Sequence, residues 1–120
     1  MYEYNAELRR VVDGDTVDVT IDCGFNIHIK ERVRLSGIDT PECRTRDLEE
    51  KKRGLAAKAR LEEILESFGE TILIKTFIDK KGKYGRLLGS LHCIELNRQF
   101  PVLHSANAML LEEGHAVVYK

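Results

Sequence analysis

Thr16-Val17-Asp18-Val19-Thr20-Ile21-Asp22 alternates strictly between polar and apolar residues, with Val17, Val19 and Ile21 to one side. Successive side chains of an extended chain point to opposite faces, so this period of two marks a strand with one face buried and one wet. Turn signals bound it. Asp13-Gly14 precedes it, a dipeptide that favours tight turns, and Cys23-Gly24-Phe25-Asn26 follows. Working outward, residues 4–12 alternate more weakly and form the strand before. Ile27 to Leu35 form the strand after, with Ile27, Ile29, Val33 and Leu35 at odd parity and Glu31 as the exception. Three strands joined by tight turns make an antiparallel meander.

The third strand runs into Arg34-Leu35-Ser36-Gly37-Ile38-Asp39-Thr40-Pro41-Glu42, which breaks at Gly37. Pro41 fixes its own φ and pushes Thr40 out of the helical region, so the turn is stiff. Residues 47–68 then hold no proline and place Leu48, Leu55, Ala59, Leu61, Ile64, Leu65 and Phe68 at helical spacings. This predicts an amphipathic helix, irregular in its first turns around Gly54 and ended by Gly69. Thr71 to Ile78, β-branched and apolar, is a fourth strand, and Asp79 to Gly85 an exposed turn. A fifth strand runs from Arg86 to Ile94 with Leu87, Gly89, Leu91 and Cys93 at one parity. Asn97 to Pro101 reads as a loop, Ser105 to Glu113 as a short helix closed by Gly114, and His115 to Lys120 as an extended tail. The order predicts an α+β, mainly β fold: a five-stranded Greek-key barrel of the oligonucleotide-binding (OB) kind with two or more helices packed on it. At 120 residues it is a single domain, residues 1–120.

Composition removes several classes. Hydrophobic residues make up 42% and charged residues 32%, which excludes a disordered chain. With 19 basic and 20 acidic residues, any nucleic acid must be met by a local basic patch and not by bulk charge. No apolar run is long enough to span a membrane, and the amino terminus carries no signal-peptide pattern. Cys23, Cys43 and Cys93 fit no zinc spacing and read as free thiols, which predicts a cytoplasmic chain.

The residues able to do chemistry sit in turns. Asp13 and Asp15 flank Gly14, and Asp39 and Glu42 share the Pro41 turn. Each turn alone has a plain reading: turn chemistry for the first, a helix N-cap for the second. If the two meet at one end of the barrel, Asp15, Asp39 and the Thr40 carbonyl form an all-oxygen set that suits Ca²⁺ or Mg²⁺ and not zinc. Arg34 and Arg86 read singly as surface strand residues. Paired beside such a cation, they match the charge that builds on phosphorus under attack. Glu42 is placed to orient or deprotonate a water. Arg44, Arg46, Lys51-Lys52-Arg53 and Lys80-Lys81-Gly82-Lys83 flank the acidic turns and offer a polyanion a route in. Tyr84 packs the turn, stacks on a base or meets a phosphate.

Asp13-Gly14-Asp15-Thr16-Val17, then Arg34 to Glu42, then Tyr84-Gly85-Arg86, with Asn107 and Gly114 later, resemble in that order the staphylococcal (thermonuclease-like) nuclease family. The resemblance runs from about Leu8 to Tyr119. It implies a Ca²⁺-dependent phosphodiesterase on an OB-fold barrel, an endonuclease and exonuclease acting on single-stranded or locally open DNA and RNA. Such enzymes cut the bond to the 5′ oxygen and leave 3′-phosphorylated products. By position it makes Asp15, Asp39 and the Thr40 carbonyl the metal ligands and Glu42 the water-activating carboxylate. Arg34 and Arg86 become the phosphate-binding arginines, and Lys83 and Tyr84 contacts to a terminal phosphate. The chain is expected to be a monomer with no obligate protein partner and no membrane. The alternative is a noncatalytic OB-fold nucleic-acid-binding module, which needs neither the carboxylates nor the arginine pair. The family's founding members continue into a third helix where this sequence stops at Lys120, and Tyr119 is only an approximate counterpart of their carboxyl-terminal tyrosine.

Overall fold

The computed structural model describes residues 2–67, 71–77, 87–96 and 101–119. Strands β1 (Tyr2–Asp13), β2 (Thr16–Asp22) and β3 (His28–Leu35) form the expected meander, each antiparallel to the next. The alternation in β2 is realised: Val17 and Val19 are fully buried and Ile21 nearly so. β3 follows its parity only at one end. Val33 and Leu35 are buried, whereas Ile27 and Ile29 are exposed, because β6 pairs with β3 only from Val33 to Leu35 and leaves the earlier part of the strand at an edge.

β1 is long enough to serve two neighbours. It pairs with β2 from Asn5 to Asp13 and, from Tyr2 to Glu7, with β5 (Thr71–Phe77). Register shifts between Leu8 and Arg10 and between Val11 and Asp13 mark bulges that bend it. β5 pairs with β6 (Leu87–Leu96), and β6 returns alongside β3 in parallel, Val33 opposite Leu87 and Leu35 opposite Gly89. This last pairing closes the five-stranded barrel, so the predicted α+β, mainly β OB-like architecture holds. A Cβ on Gly89 would lie 3.1 Å from Ile74 and 3.2 Å from Val33, so a glycine suits this tightly packed point of the closure.

Three short strands were not legible in the sequence. β4 (Ile38–Asp39) pairs with β8 (Val117–Val118), and β7 (Pro101–Ser105) adds to the free edge of β6 where part of a loop was expected. Helix α1 (Leu48–Ser67) buries Gly54, Ala57, Leu61, Ile64 and Leu65. The helix is therefore rotated from the expected face: Leu48 and Leu55 are exposed and Gly54 is inside. The expected irregularity around Gly54 is absent; the helix is continuous there. Its N-cap is Asp47, whose Oδ1 accepts from the amides of Glu49 (3.0 Å) and Glu50 (3.2 Å), which removes that role from the Pro41 turn. Helix α2 (Ala106–Glu112) is capped by Ser105, whose hydroxyl accepts from Ala108 N–H. Among the described residues no helix is long and apolar enough to cross a membrane. Phe68, Gly69, the Asp79–Gly85 turn, Arg86 and Asn97 to Phe100 lie outside the described residues.

Candidate active site

The two acidic turns meet. The turn between β1 and β2 and the turn after β4 line one polar cleft of about 270 Å³, bordered by Asp13, Asp15, Arg34, Asp39, Glu42 and Tyr119 with Thr16, Thr40 and Pro41. Backbone hydrogen bonds fix the approach. Leu35 N–H donates to the Asp15 carbonyl at 2.8 Å, and Thr40 N–H donates to Asp15 Oδ2 at 3.2 Å. The Thr16 hydroxyl donates to Asp15 Oδ1 at 3.1 Å, so both carboxylate oxygens are oriented from the protein side.

Helix α1 sets how closely these turns pack. A Cβ on Gly14 would meet Ala57 Cβ at 2.8 Å and Thr40 Oγ1 at 2.9 Å. One on Gly54 would meet the Glu42 carbonyl oxygen at 2.5 Å and that of Pro41 at 2.8 Å. Ala57 is fully buried. Small residues three apart on one helix face thus let α1 lie directly on both loops, which is the reason for a glycine in the middle of a helix.

Arg34 stands at the centre. Its side chain is only 16% exposed, with Nη1 3.2 Å from Asp15 Oδ2 and Nη2 3.4 Å from Asp39 Oδ1. Nη1 is shielded from solvent and, though close to Asp15, lacks hydrogen-bond alignment to any described acceptor. A buried donor without an aligned acceptor is a costly feature. The guanidinium also lies 5.2 Å under the ring of Tyr119, a cation–π distance. Tyr119 is held by its amide, which donates to the Gly37 carbonyl at 3.0 Å beside the β4–β8 pair.

Glu42 is exposed at the rim of the cleft. Its amide donates to Glu50 Oε1 at 3.4 Å, and its carboxylate makes no hydrogen bond or ion pair with a described residue. Cys43 beside it is buried, and burial first, then the neighbouring Asp13 carboxylate, push its thiol above the ordinary range. It stays protonated and is no nucleophile here.

Among the described residues no three His, Cys, Asp or Glu side chains converge as metal ligands. The two carboxylates nevertheless aim at a shared positive centre, now the Arg34 guanidinium. Two carboxylates with only oxygen donors nearby fit a hard, largely hydrated cation and not a zinc ion. Asp15, Arg34, Asp39, Thr40 and Glu42 are thus brought together, while Lys83, Tyr84 and Arg86 lie outside the described residues. Tyr119 and Asp13 join the cleft without having been assigned to it. For Tyr119 the signal is the β4–β8 pairing, two residues on each strand and invisible as a sequence pattern.

The sequence pattern of staphylococcal nuclease homologues matches residues 32–120. Protein ParB of Escherichia coli is 31% identical over 121 aligned residues, which cover 98% of this chain and 59% of ParB. The chain therefore spans a little over half the length of that relative.

Proposed function

We propose that this chain, a member of the family of staphylococcal nuclease homologues, is a Ca²⁺-dependent phosphodiesterase that hydrolyses DNA and RNA. The family carries nuclease-type, nucleic-acid-binding function. One observation supports the hydrolase reading most: a nearly buried arginine bridges two carboxylates from separate turns, in a cleft rimmed by a carboxylate with no partner among the described residues.

Asp15, Asp39 and the Thr40 carbonyl would hold the cation, which when bound offsets phosphate charge and makes coordinated water more acidic. Arg34 turns its guanidinium from the carboxylates to the phosphate oxygens, where its planar donors match the phosphate and its charge is permanent. Glu42 accepts the proton of the attacking water as the new oxygen–phosphorus bond forms. The bond from phosphorus to the 5′ oxygen breaks, and that oxygen takes a proton from solvent at the open rim. The product keeps a 3′ phosphate. Arg86, Lys83 and Tyr84 complete the phosphate contacts on the strength of the resemblance alone. The substrate is single-stranded or locally open nucleic acid, taken by a monomer in the cytoplasm.

Incubating single-stranded DNA with the protein in Ca²⁺ or in chelator tests this. Cleavage is expected only with Ca²⁺, and Arg34→Ala and Glu42→Ala should each lower the rate by about 10²–10⁴-fold with an unchanged circular dichroism spectrum. DNA binding without cleavage under any divalent ion would establish the noncatalytic module instead.

A further inference from the structure

The outer face of β3 leads away from the cleft, and ion pairs within the fold account for only part of what it displays. Val33 and Leu35 point into the core, so His28, Lys30, Arg32 and Arg34 share the opposite face. Alternate residues of a strand lie about 6.6 Å apart, which makes this a line of four nitrogen bases about 20 Å long. β6 pairs only with Val33 to Leu35, so residues 28–32 have β2 on one side and no described strand on the other.

Of the acids beside residues 28–32, only Asp18 is ion-paired among the described residues. Asp18, across from Arg32, accepts from Arg32 Nε at 2.8 Å and lies 3.6 Å from Arg10. Asp22, across from His28, accepts from Gly24 N–H at 2.9 Å. Glu7 on β1 stands one strand further off, opposite Thr20. Lys30 and His28 are exposed and make no ion pair or side-chain hydrogen bond with a described residue.

The line ends at an aromatic. Phe25 at the hairpin tip is 99% exposed and has φ 54°, between Gly24 at φ 82° and Asn26 at φ 63°. A phenylalanine in the left-handed region is strained, and here its ring makes up for that with no burial. Three consecutive left-handed residues hold the ring out in solvent.

We infer that this face, from Arg34 along Arg32, Lys30 and His28 to Phe25, is a track for the single strand flanking the bond in the cleft, with Phe25 stacking on a base. The inference rests on the nuclease reading. Its support is continuity with the cleft through Arg34, exposed nitrogen groups at Lys30 and His28 with no ion pair to a described residue, and an exposed π-face at the far end. A basic groove with an aromatic platform is how single strands are bound without sequence preference.

The test uses the full chain carrying Glu42→Gln, in Ca²⁺, with fluorescein-labelled oligothymidylates of two and eight nucleotides read by anisotropy over a salt series. Lys30→Gln and Phe25→Ala are both solvent-facing and leave the core intact. Each should weaken octamer binding about tenfold and leave dinucleotide binding unchanged. Lys30→Gln should also lower the slope of log affinity against log salt by about 0.7, the value of one single-strand phosphate contact, whereas Phe25→Ala should not. Octamer binding equal to the parent's in both variants would overturn the track while the cleft's dinucleotide binding stood. Failure of the parent to bind either oligonucleotide would overturn the track and the nuclease reading together.

Discussion

Arg34 shows how much one side chain can be asked to do. Placed between Asp15 and Asp39 and under Tyr119, it offsets the repulsion of two carboxylates that the turns force together. In the proposed reaction the same guanidinium would turn to the phosphate. His92 is a second residue whose surroundings set its chemistry. Its Nε2 lies 2.8 Å from Ser90 Oγ, and burial first, then the charge of Lys75, hold its pKa below the ordinary value of 6.5. The unfolded chain therefore binds this proton first as pH falls. Its share of stability is complete above about pH 6.5 and is lost as pH drops from there through the depressed folded value. Urea midpoints measured near pH 7.5 and near pH 5.5 should differ in that direction. His92→Gln should narrow the difference, and an unchanged gap would remove His92 as its source.

At the scale of elements, α1 acts as a template for the site. Its Gly54 and Ala57 lie against Pro41–Glu42 and Gly14. Helix propensity alone predicts that Gly54→Ala stabilises the protein by about 1 kcal/mol. The contact predicts the opposite, because the new methyl would stand 2.5 Å from the Glu42 carbonyl oxygen and backbone must move. Gly54→Ala should lower the melting temperature and cut nuclease activity about 100-fold, the scale of an ångström-sized misplacement of a catalytic group. A more stable, fully active variant would show that the helix and the turn separate without cost. The sequence marked Gly54 as a blemish in a helix; only the neighbouring backbone shows it to be the point of contact.

Across the whole molecule, Asn107 locks the closure. It is buried on α2, where Oδ1 accepts from Leu91 N–H of β6 at 3.2 Å and Nδ2 donates to the Ser36 carbonyl after β3 at 2.8 Å. The Ser36 amide in turn donates to Gly89 of β6 at 2.9 Å. One side chain thus ties the second helix to the two strands whose parallel pairing shuts the barrel. Asn107→Ala leaves a buried donor and a buried acceptor unpaired and should cost about 2–3 kcal/mol in urea unfolding. A cost under about 0.5 kcal/mol would mean that water replaces both bonds.

The sequence by itself determined the meander, the long helix, the two long strands that follow it and the two acidic turns, since each is written in local periodicity and turn chemistry. It also marked Asp15, Arg34, Asp39, Thr40 and Glu42 as candidates. Tertiary structure alone decided that the two turns share one cleft, that α1 presents Gly54 and not Leu55 to them, and that Tyr119 covers Arg34. These depend on contacts between residues far apart in the chain and on two-residue strands too short to carry a period. The bend of β1 and the β3–β6 pairing set those distances, and no local pattern encodes them.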